Sequence, residues 1–315
     1  MPTLRRLEYL IAIARSGNFH KAARAANVSQ PTLSQQLRLL EAELGVTLVD
    51  RALPAGGLTP VGRDIVERAR RIMREVEDLK RTSRLARTGG DVGILRFGAS
   101  PTIGPYLLPE IVAGLSAEKP NLRIHIREGI PDEQIGLLAN GEIDLLLAPL
   151  PLSYGDMHAE LLFAEPLRIV ASKDHELAKL RKLESGDLAG HDMLIMDLRH
   201  HLARQVGEIC NALQMNVLRD YEGTSLDGVY QMAAGGLGLA VLPEIYLRSN
   251  AGAAGGVTVL DLPSFPMHRQ IALLWRKEAP FHDTCILVAE RIRAVGLAML
   301  GDASSQKHNV TLPKR

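Results

Sequence analysis

Cysteine is scarce: Cys210 and Cys285 are the two in 315 residues, which excludes a disulfide framework and points to a reducing cytoplasm. Long apolar runs are missing as well. None approaches the roughly 18 residues needed to cross a bilayer, so no membrane partner is expected. The stretch MPTLRRLEYLIAIARSG has an apolar centre, but Arg15 follows it without a small-residue cleavage site, so no signal peptide is expected. Catalytic signatures are absent too: there is no G-x-S-x-G, H-E-x-x-H, Walker A or C-x-x-C. AAGGLGLA contains G-x-G, but ahead of a strand instead of opening a helix after one, so a dinucleotide site is not supported. The chain is therefore not expected to be an enzyme, nor to carry a cofactor. A composition 46% hydrophobic and 23% charged is that of an ordinary globular chain, long enough for two to three domains.

What is present begins at residues 18–44, NFHKAARAANVSQPTLSQQLRLLEAEL. Asn18 can cap a short helix through Ala22, Ala23, Ala25 and Ala26, and Asn27-Val28 breaks it. A second helix opens at Ser29 or Gln30, with Pro31 tolerated in its first turn because no amide donor is missed there. Leu33, Leu37, Leu40 and Leu44 fall at i, i+4, i+7 and i+11 and make one buried face. The opposite side shows Thr32 and Gln35, flanked by Ser34 and Arg38. Short polar groups with one guanidinium suit base edges and phosphates. The pattern reads as a helix-turn-helix; a plain helical hairpin is the other reading.

Charge supports the first reading once it is divided. Residues 1–88 hold 16 Lys and Arg against 9 Asp and Glu, a net of +7, and the remaining 227 residues hold 21 against 27, a net of −6. A basic head on an acidic body fits polyanion binding.

Residues 4–16 form a first amphipathic helix through Leu7, Leu10, Ile11 and Ala14. The segment GVTLVDRALPAGGLTP has a β-prone run from Val46 to Val49 and a turn at Pro54, Gly56 and Gly57, the pattern of a wing hairpin with Arg51 within reach of a phosphate or the minor groove. Thr59 caps and Pro60 starts a long helix to about Thr88. Its positions Ile65, Ala69, Ile72, Val76, Leu79 and Ser83 follow a heptad seam flanked by Arg68, Arg71, Glu75, Glu77 and Arg81, which predicts a dimerisation helix; packing on its own domain is the alternative. Gly89-Gly90-Asp91 reads as a hinge. Beyond it strands alternate with helices, which predicts parallel strands with crossover helices in two α/β subdomains around a cleft. The tail from Gly301 is polar and expected to be disordered.

The order of parts resembles the LysR-type transcriptional regulators. The carrying stretches are LEYLIAIARSGNFHKAARAANVSQPTLSQQLRLLEAELGVTLVDR with LTPVG in the head. In the body they are ASPTIGPYLLPEIV, GEIDLLLAP and TSLDGVYQMAAGGLGLAVLP. The resemblance covers about residues 3–298. It implies a winged helix-turn-helix over 1–59, a linker helix over 60–88 and an effector domain over 91–300 folded like periplasmic binding proteins. Subdomain I would cover about 91–163 and 267–300, subdomain II about 164–266, and the usual assembly is a tetramer. By the same analogy Gln30, Thr32, Ser34, Gln35 and Arg38 face double-stranded DNA, with Arg51 on the wing, and RNA polymerase is a further partner.

Within the family the body looks most like the peroxide-sensing OxyR branch, through PTIGPYLLPEI and RHHLARQVGEIC. That branch carries a peroxidatic cysteine nine residues before a second cysteine. Cys210 matches the second, but His201 stands at the first, and an imidazole forms neither a sulfenic acid nor a disulfide. Cys210, at helical spacing from Val206, Ile209 and Leu213, reads as a core thiol, with a redox role as the alternative.

The crevice between subdomains is the expected effector site. Ser100 and Thr102 follow the first strand with free hydroxyls, and Pro149 ends the strand that crosses between subdomains. His200 and His201 precede one helix, Thr224 and Ser225 open the next, and helix amides favour an anion. Thr224, Ser225 and His201 can instead simply cap their own helices. No metal is expected, since adjacent histidines rarely face one ion and no carboxylate or cysteine cluster accompanies them. The sequence thus predicts a LysR-type DNA-binding regulator modulated by a small anionic effector. The alternatives are a redox-responsive regulator acting through Cys210, and a cytoplasmic solute-binding α/β protein with an oligomerisation head.

Overall fold

Asn18 accepts hydrogen bonds from the amides of His20 and Lys21 at 2.8 and 3.1 Å, and so starts helix α2 (Phe19–Ala25) two residues after α1 (Leu4–Ser16) ends. Gly17, at φ 58°, makes that turn possible. Ser29 caps α3 (Gln30–Leu44) through the Thr32 amide at 3.2 Å, and Pro31 sits in its first turn as expected. Leu33, Leu37 and Leu40 are fully buried, in one core with Leu7, Leu10, Ile13, Ala22 and Ala23. Each such leucine or isoleucine side chain contributes about 1.5–3 kcal/mol of burial. These helices belong to the first of two units, Met1–Gly90 and Asp91–Arg315. The structure, a computed structural model, describes residues 1–50, 57–87, 93–180, 182–223, 225–250 and 255–301.

The wing strands are short, β1 (Val49–Asp50) pairing antiparallel with β2 (Gly57–Leu58). The expected run from Val46 is strand only at its end. The Glu41 carboxylate takes the amides of Leu48 and Val49, at 2.8 and 3.2 Å, and so ties this segment to α3, while the Leu48 carbonyl accepts the Thr59 amide at 3.0 Å. Arg51, Pro54 and Gly56 lie outside the described residues. Thr59 caps α4 (Pro60–Arg87) through the Gly62 amide at 2.9 Å. The expected seam divides. Ala69 is buried in the head's own core beside Val66, with Ile65 and Met73 packed against it, whereas Ile72 and Leu79 are 45% and 70% exposed. The first turns of α4 thus serve their own unit and the later stripe is uncovered. The hinge residues 89–91 lie outside the described residues.

The second unit opens with β3 (Ile94–Ala99), α5 (Gly104–Glu118), β4 (Arg123–Glu128), α6 (Pro131–Ala139) and β5 (Leu145–Leu150). Then come β6 (Met157–Ser172), β7 (Asp192–Met196), α7 (His201–Ala212), β8 (Asn216–Gly223), α8 (Leu226–Ala234), β9 (Ala240–Pro243) and α9 (Glu244–Ser249). Finally β10 (Val257–Leu260), β11 (His268–Arg276) and α10 (His282–Leu300) close it. One seven-stranded sheet has the order β10-β6-β11-β5-β3-β4, with β9 also on β6, and β7 pairs with β8 separately.

The expectation of parallel strands needs correction, because the sheet is mixed. β3 runs parallel to β4 and β5, but β11 is antiparallel to both β5 and β6. The reason is the return path: β11 enters from the far half of the unit, after β10, and runs back alongside β6. β6 is also far longer than the LRIVAS run, beginning ten residues earlier at Met157. Its first half pairs with β11 and its second half, from Leu167, pairs with β9 and β10.

Two cores lie along that strand. One gathers buried residues between Leu167 and Leu262, including Leu194, Val206, Val241 and Tyr246. The other joins Leu138, Ile143, Leu146 and Ala148 to Ala272 and Leu274. Residues 302–315 lie outside the described residues, and no described helix is long and apolar enough to cross a membrane.

Candidate functional site

In the head, the buried leucines turn the other face of α3 outward. Gln30, Thr32, Gln35 and Arg38 are exposed and Ser34 is half-buried. Thr32 shares its hydroxyl with Ser29 at 2.7 Å, so the first turn is tied down before any partner arrives. Arg6 donates to Gln36 at 3.0 Å and is also paired with Glu43, which fixes α1 against α3. The surface left free is one short polar stripe with a guanidinium at its end, suited to a groove edge. Arg51, the sixth residue expected on DNA, lies outside the described residues.

In the body the chemistry centres on a buried arginine that the sequence reading did not single out. Arg269, on β11, is 1% exposed and every one of its bonds is short. It donates from Nε to Glu165 on β6, from one terminal nitrogen to the Thr102 hydroxyl and from the other to the Thr102 carbonyl, each at 2.8 Å. The other Glu165 oxygen accepts the Ile245 amide at 2.9 Å. Burial holds the Glu165 carboxyl above the usual carboxylate range, against the pull of Arg269. The hydroxyls of Ser100 and Thr102 are therefore not free as expected: Thr102 accepts from Arg269, and Ser100 lies 3.1 Å from Thr102. Both residues are 2% exposed. A charged residue inside the apolar runs LLFAEPLRIV and HRQIALLWR was the signal available for this pair.

His200 and His201 sit at the start of α7, at the N-cap and first helical position. They are 7% and 5% exposed, and the Nδ1 atom of each is buried with no hydrogen-bond partner among the described residues. Neither caps the helix with its side chain. The His201 imidazole is pushed down to about 4, by burial first and then by Arg204 and Arg269, with Asp132 and the Gln205 side chain opposing. His200 is lowered too, by burial and by Arg199, with Asp197 opposing. One turn on, Gln205 Oε1 is likewise buried without a partner. Arg204 reaches across to Asp132 on α6 at 3.0 Å.

The other expected positions divide. Ser225 uses its hydroxyl for its own helix, accepting from the Gly228 amide at 3.1 Å. Thr224 lies outside the described residues. Pro149 is buried inside β5 opposite Ile271, and the strand that passes from one core to the other is β6, not β5. Next to Ser225, Asp227 accepts from Tyr106 on α5 at 3.4 Å and from Tyr246 on α9 at 3.1 Å, a contact the sequence did not suggest.

Both thiols are closed off. Cys210 is 1% exposed and pushed up to about 11 by burial, and Cys285 is fully buried and pushed up to about 12. Among the described residues no group of three or more His, Cys, Asp and Glu could hold a metal ion.

Two family profiles match this chain: the helix-turn-helix of bacterial regulatory proteins of the lysR family over residues 4–63, and the LysR substrate binding domain over residues 88–294. The DNA-binding transcriptional dual regulator OxyR of Escherichia coli is 33% identical over 293 residues, 92% of this chain and 95% of that protein. A full-length OxyR from Pseudomonas aeruginosa, solved with one cysteine replaced by aspartate, is 31% identical with a TM-score of 0.71, covering 92% of this chain and 97% of that one. A hydrogen peroxide-bound OxyR of Corynebacterium glutamicum, with one cysteine replaced by serine, is 28% identical with a TM-score of 0.61, and 99% of each chain is covered. With a helix-turn-helix whose polar face is free and a body matched nearly end to end, the chain belongs to the LysR family and is a DNA-binding transcription regulator, not an enzyme.

Proposed function

We propose that this regulator is controlled by a small anion held at the first turn of α7, between His201 and the Arg269–Thr102 contact. The observation that carries this reading is the His201 Nδ1, a buried polar atom for which the described residues supply no hydrogen bond of good geometry, with the Gln205 side chain its polar neighbour. Such an atom costs about 1–3 kcal/mol unless something completes it. The surroundings suit an anion through the N-terminus of a 12-residue helix, while Arg269 and Arg204, within electrostatic reach of His201, are each already paired with a carboxylate. The effector would bias the closure of the two cores around β6, and closure would alter how the heads hold DNA. The heads work in pairs in this reading, with Ile72, Val76 and Leu79 of α4 meeting a second copy and placing two heads on two half-sites. RNA polymerase is the expected downstream contact and the cytoplasm the expected location. On DNA, Gln30, Thr32, Ser34, Gln35, Arg38 and Arg51 are the proposed contacts.

A thermal-shift series on the full chain tests this reading, with phosphate and small carboxylates in one arm and hydrogen peroxide in another. A ligand at about a hundredfold its Kd should stabilise by roughly 2.7 kcal/mol. A shift present in the wild type and lost in His201→Gln is the expected result.

A second reading has a specific ground: the relatives above include OxyR proteins, one of them solved with hydrogen peroxide bound. It would run through Cys210. Burial of that thiol opposes it, because a thiol held near 11 is protonated at neutral pH. A peroxide response abolished in Cys210→Ser, with no shift from any anion, would replace the first reading with this one.

A further inference from the structure

We propose that anion binding at the first turn of α7 is coupled to the uptake of one proton by His201, so that the regulator reads its effector jointly with pH. This rests on the effector site proposed above.

The argument is one of pairing. The charged groups acting on His201 are Arg204 of α7, Arg269 of β11 and Asp132 of α6, and each of the two cations already has its own carboxylate. On β11, Arg269 is bound to Glu165, and both side chains are 0% exposed. On α7 itself, Arg204 is bound to Asp132 of α6 at 3.0 Å. In the preceding loop, which acts on His200, Arg199 is bound to Asp197 at 2.6 Å. Around the histidine pair each of these cations is thus engaged by a carboxylate. An anion brought among them would add an unmatched charge to a buried site, which is costly without a partner.

His201 can supply that partner. Its Nδ1 is buried and unpaired, and it stands at the first position of α7, where the helix amides also favour an anion. A neutral imidazole offers one donor, whereas a protonated one offers two and carries the matching charge. Without an anion the preference is the opposite: burial and the two arginines keep the ring neutral well below physiological pH. Proton and anion therefore enter together, the imidazolium offsetting one unit of the anion's charge. His200, whose Nδ1 is likewise unpaired among the described residues, is one other group that could take the proton, and Glu165 is a second, since burial already raises it. Its two oxygens, however, are occupied by Arg269 and the Ile245 amide.

Titration calorimetry of the full chain with sulfate, and separately with acetate, decides this. Sulfate does not titrate between about pH 5.5 and 7.5, so any proton taken up belongs to the protein. Repeating each titration in two buffers of different ionisation enthalpy counts the protons. The expected result is close to one proton per anion at about pH 7, with Kd tightening about tenfold for each unit the pH falls. In His201→Gln and His201→Asn, proton uptake should vanish and the residual Kd should be flat with pH. Wild-type binding with no proton uptake and a flat Kd overturns the coupling while leaving the effector site standing. Uptake that survives both His201 variants, and disappears in His200→Gln or Glu165→Gln, overturns the assignment to His201. Absence of binding by either anion even at about pH 5.5 overturns the effector site and the coupling together.

Discussion

The Arg269 guanidinium grips Thr102 twice, donating to its hydroxyl and to its backbone carbonyl at 2.8 Å each, while Nε holds Glu165 on β6. Both charged side chains are excluded from water. Truncating one member strands the other, so Arg269→Met should destabilise the body by about 3–5 kcal/mol. Replacing both, as Arg269→Met with Glu165→Met, should recover much of that loss, because the desolvation cost leaves with the charges. Urea unfolding followed by the fluorescence of Trp275, the single tryptophan and 0% exposed, reads the body alone. A double variant no more stable than Arg269→Met would contradict this account.

Acid should weaken the body through His201. Its folded value, about 4, lies below the ordinary 6.5. A depressed histidine favours the folded state while neutral: its contribution is fully present above about 6.5 and is lost as the pH falls towards 4. The magnitude is on the order of 3 kcal/mol at most. The slope of unfolding free energy against pH between those values should flatten in His201→Gln. An unchanged slope would show that other groups carry it.

Thiol reactivity should be low in the native state. With both cysteines buried and pushed up to about 11 and 12, an aromatic disulfide reagent should label neither rapidly at neutral pH and both after unfolding. Fast labelling of Cys210 in the folded chain would restore it as a redox candidate.

Arg38 should matter for sequence recognition. Arg38→Ala is expected to weaken binding to duplexes selected by the wild-type chain from a random pool by about 1–3 kcal/mol. Binding to unselected duplex should change less. Equal loss on both would move Arg38 from base edge to phosphate, and no loss on either would remove it from the interface.

Two glycines should respond in opposite directions. At Gly62 an added Cβ would lie 2.0 Å from the Leu48 carbonyl oxygen, where α4 passes the wing, so Gly62→Ala should cost about 1–3 kcal/mol and weaken DNA binding. At Gly136 in α6 nothing lies within 4 Å, and Gly136→Ala should stabilise by about 0.4–1 kcal/mol. Melting curves of the two variants check both signs.

Local signals were legible in the sequence wherever one residue type does one job. Asn18, Ser29 and Thr59 cap as their positions imply, and Leu33, Leu37 and Leu40 bury as their spacing implies. Relations set by tertiary pairing were not legible. Nothing in MHAELLFAEP announces a strand that joins two cores, because its first half is only partly buried and lacks clean alternation. Hydroxyls at Ser100 and Thr102 looked available because their partner, Arg269, lies 167 residues from Thr102. Ala69 fits the heptad by spacing, yet the head's own core claims it. The histidine pair was visible as residues, but its burial and the missing Nδ1 partners are properties of the fold.

The continuity of β6 also limits how the body can move. The strand changes partners between Pro166 and Leu167, from β11 to β9, without a break in the chain. Sliding one half along the other would shift a ladder by whole residues and turn side chains to the wrong face. What remains is rotation about a few backbone dihedrals at that handover, where Pro166 has no amide hydrogen to lose. The strand is in effect a torsion bar with one compliant section, and an event at one core reaches the other as an angle and not as a displacement.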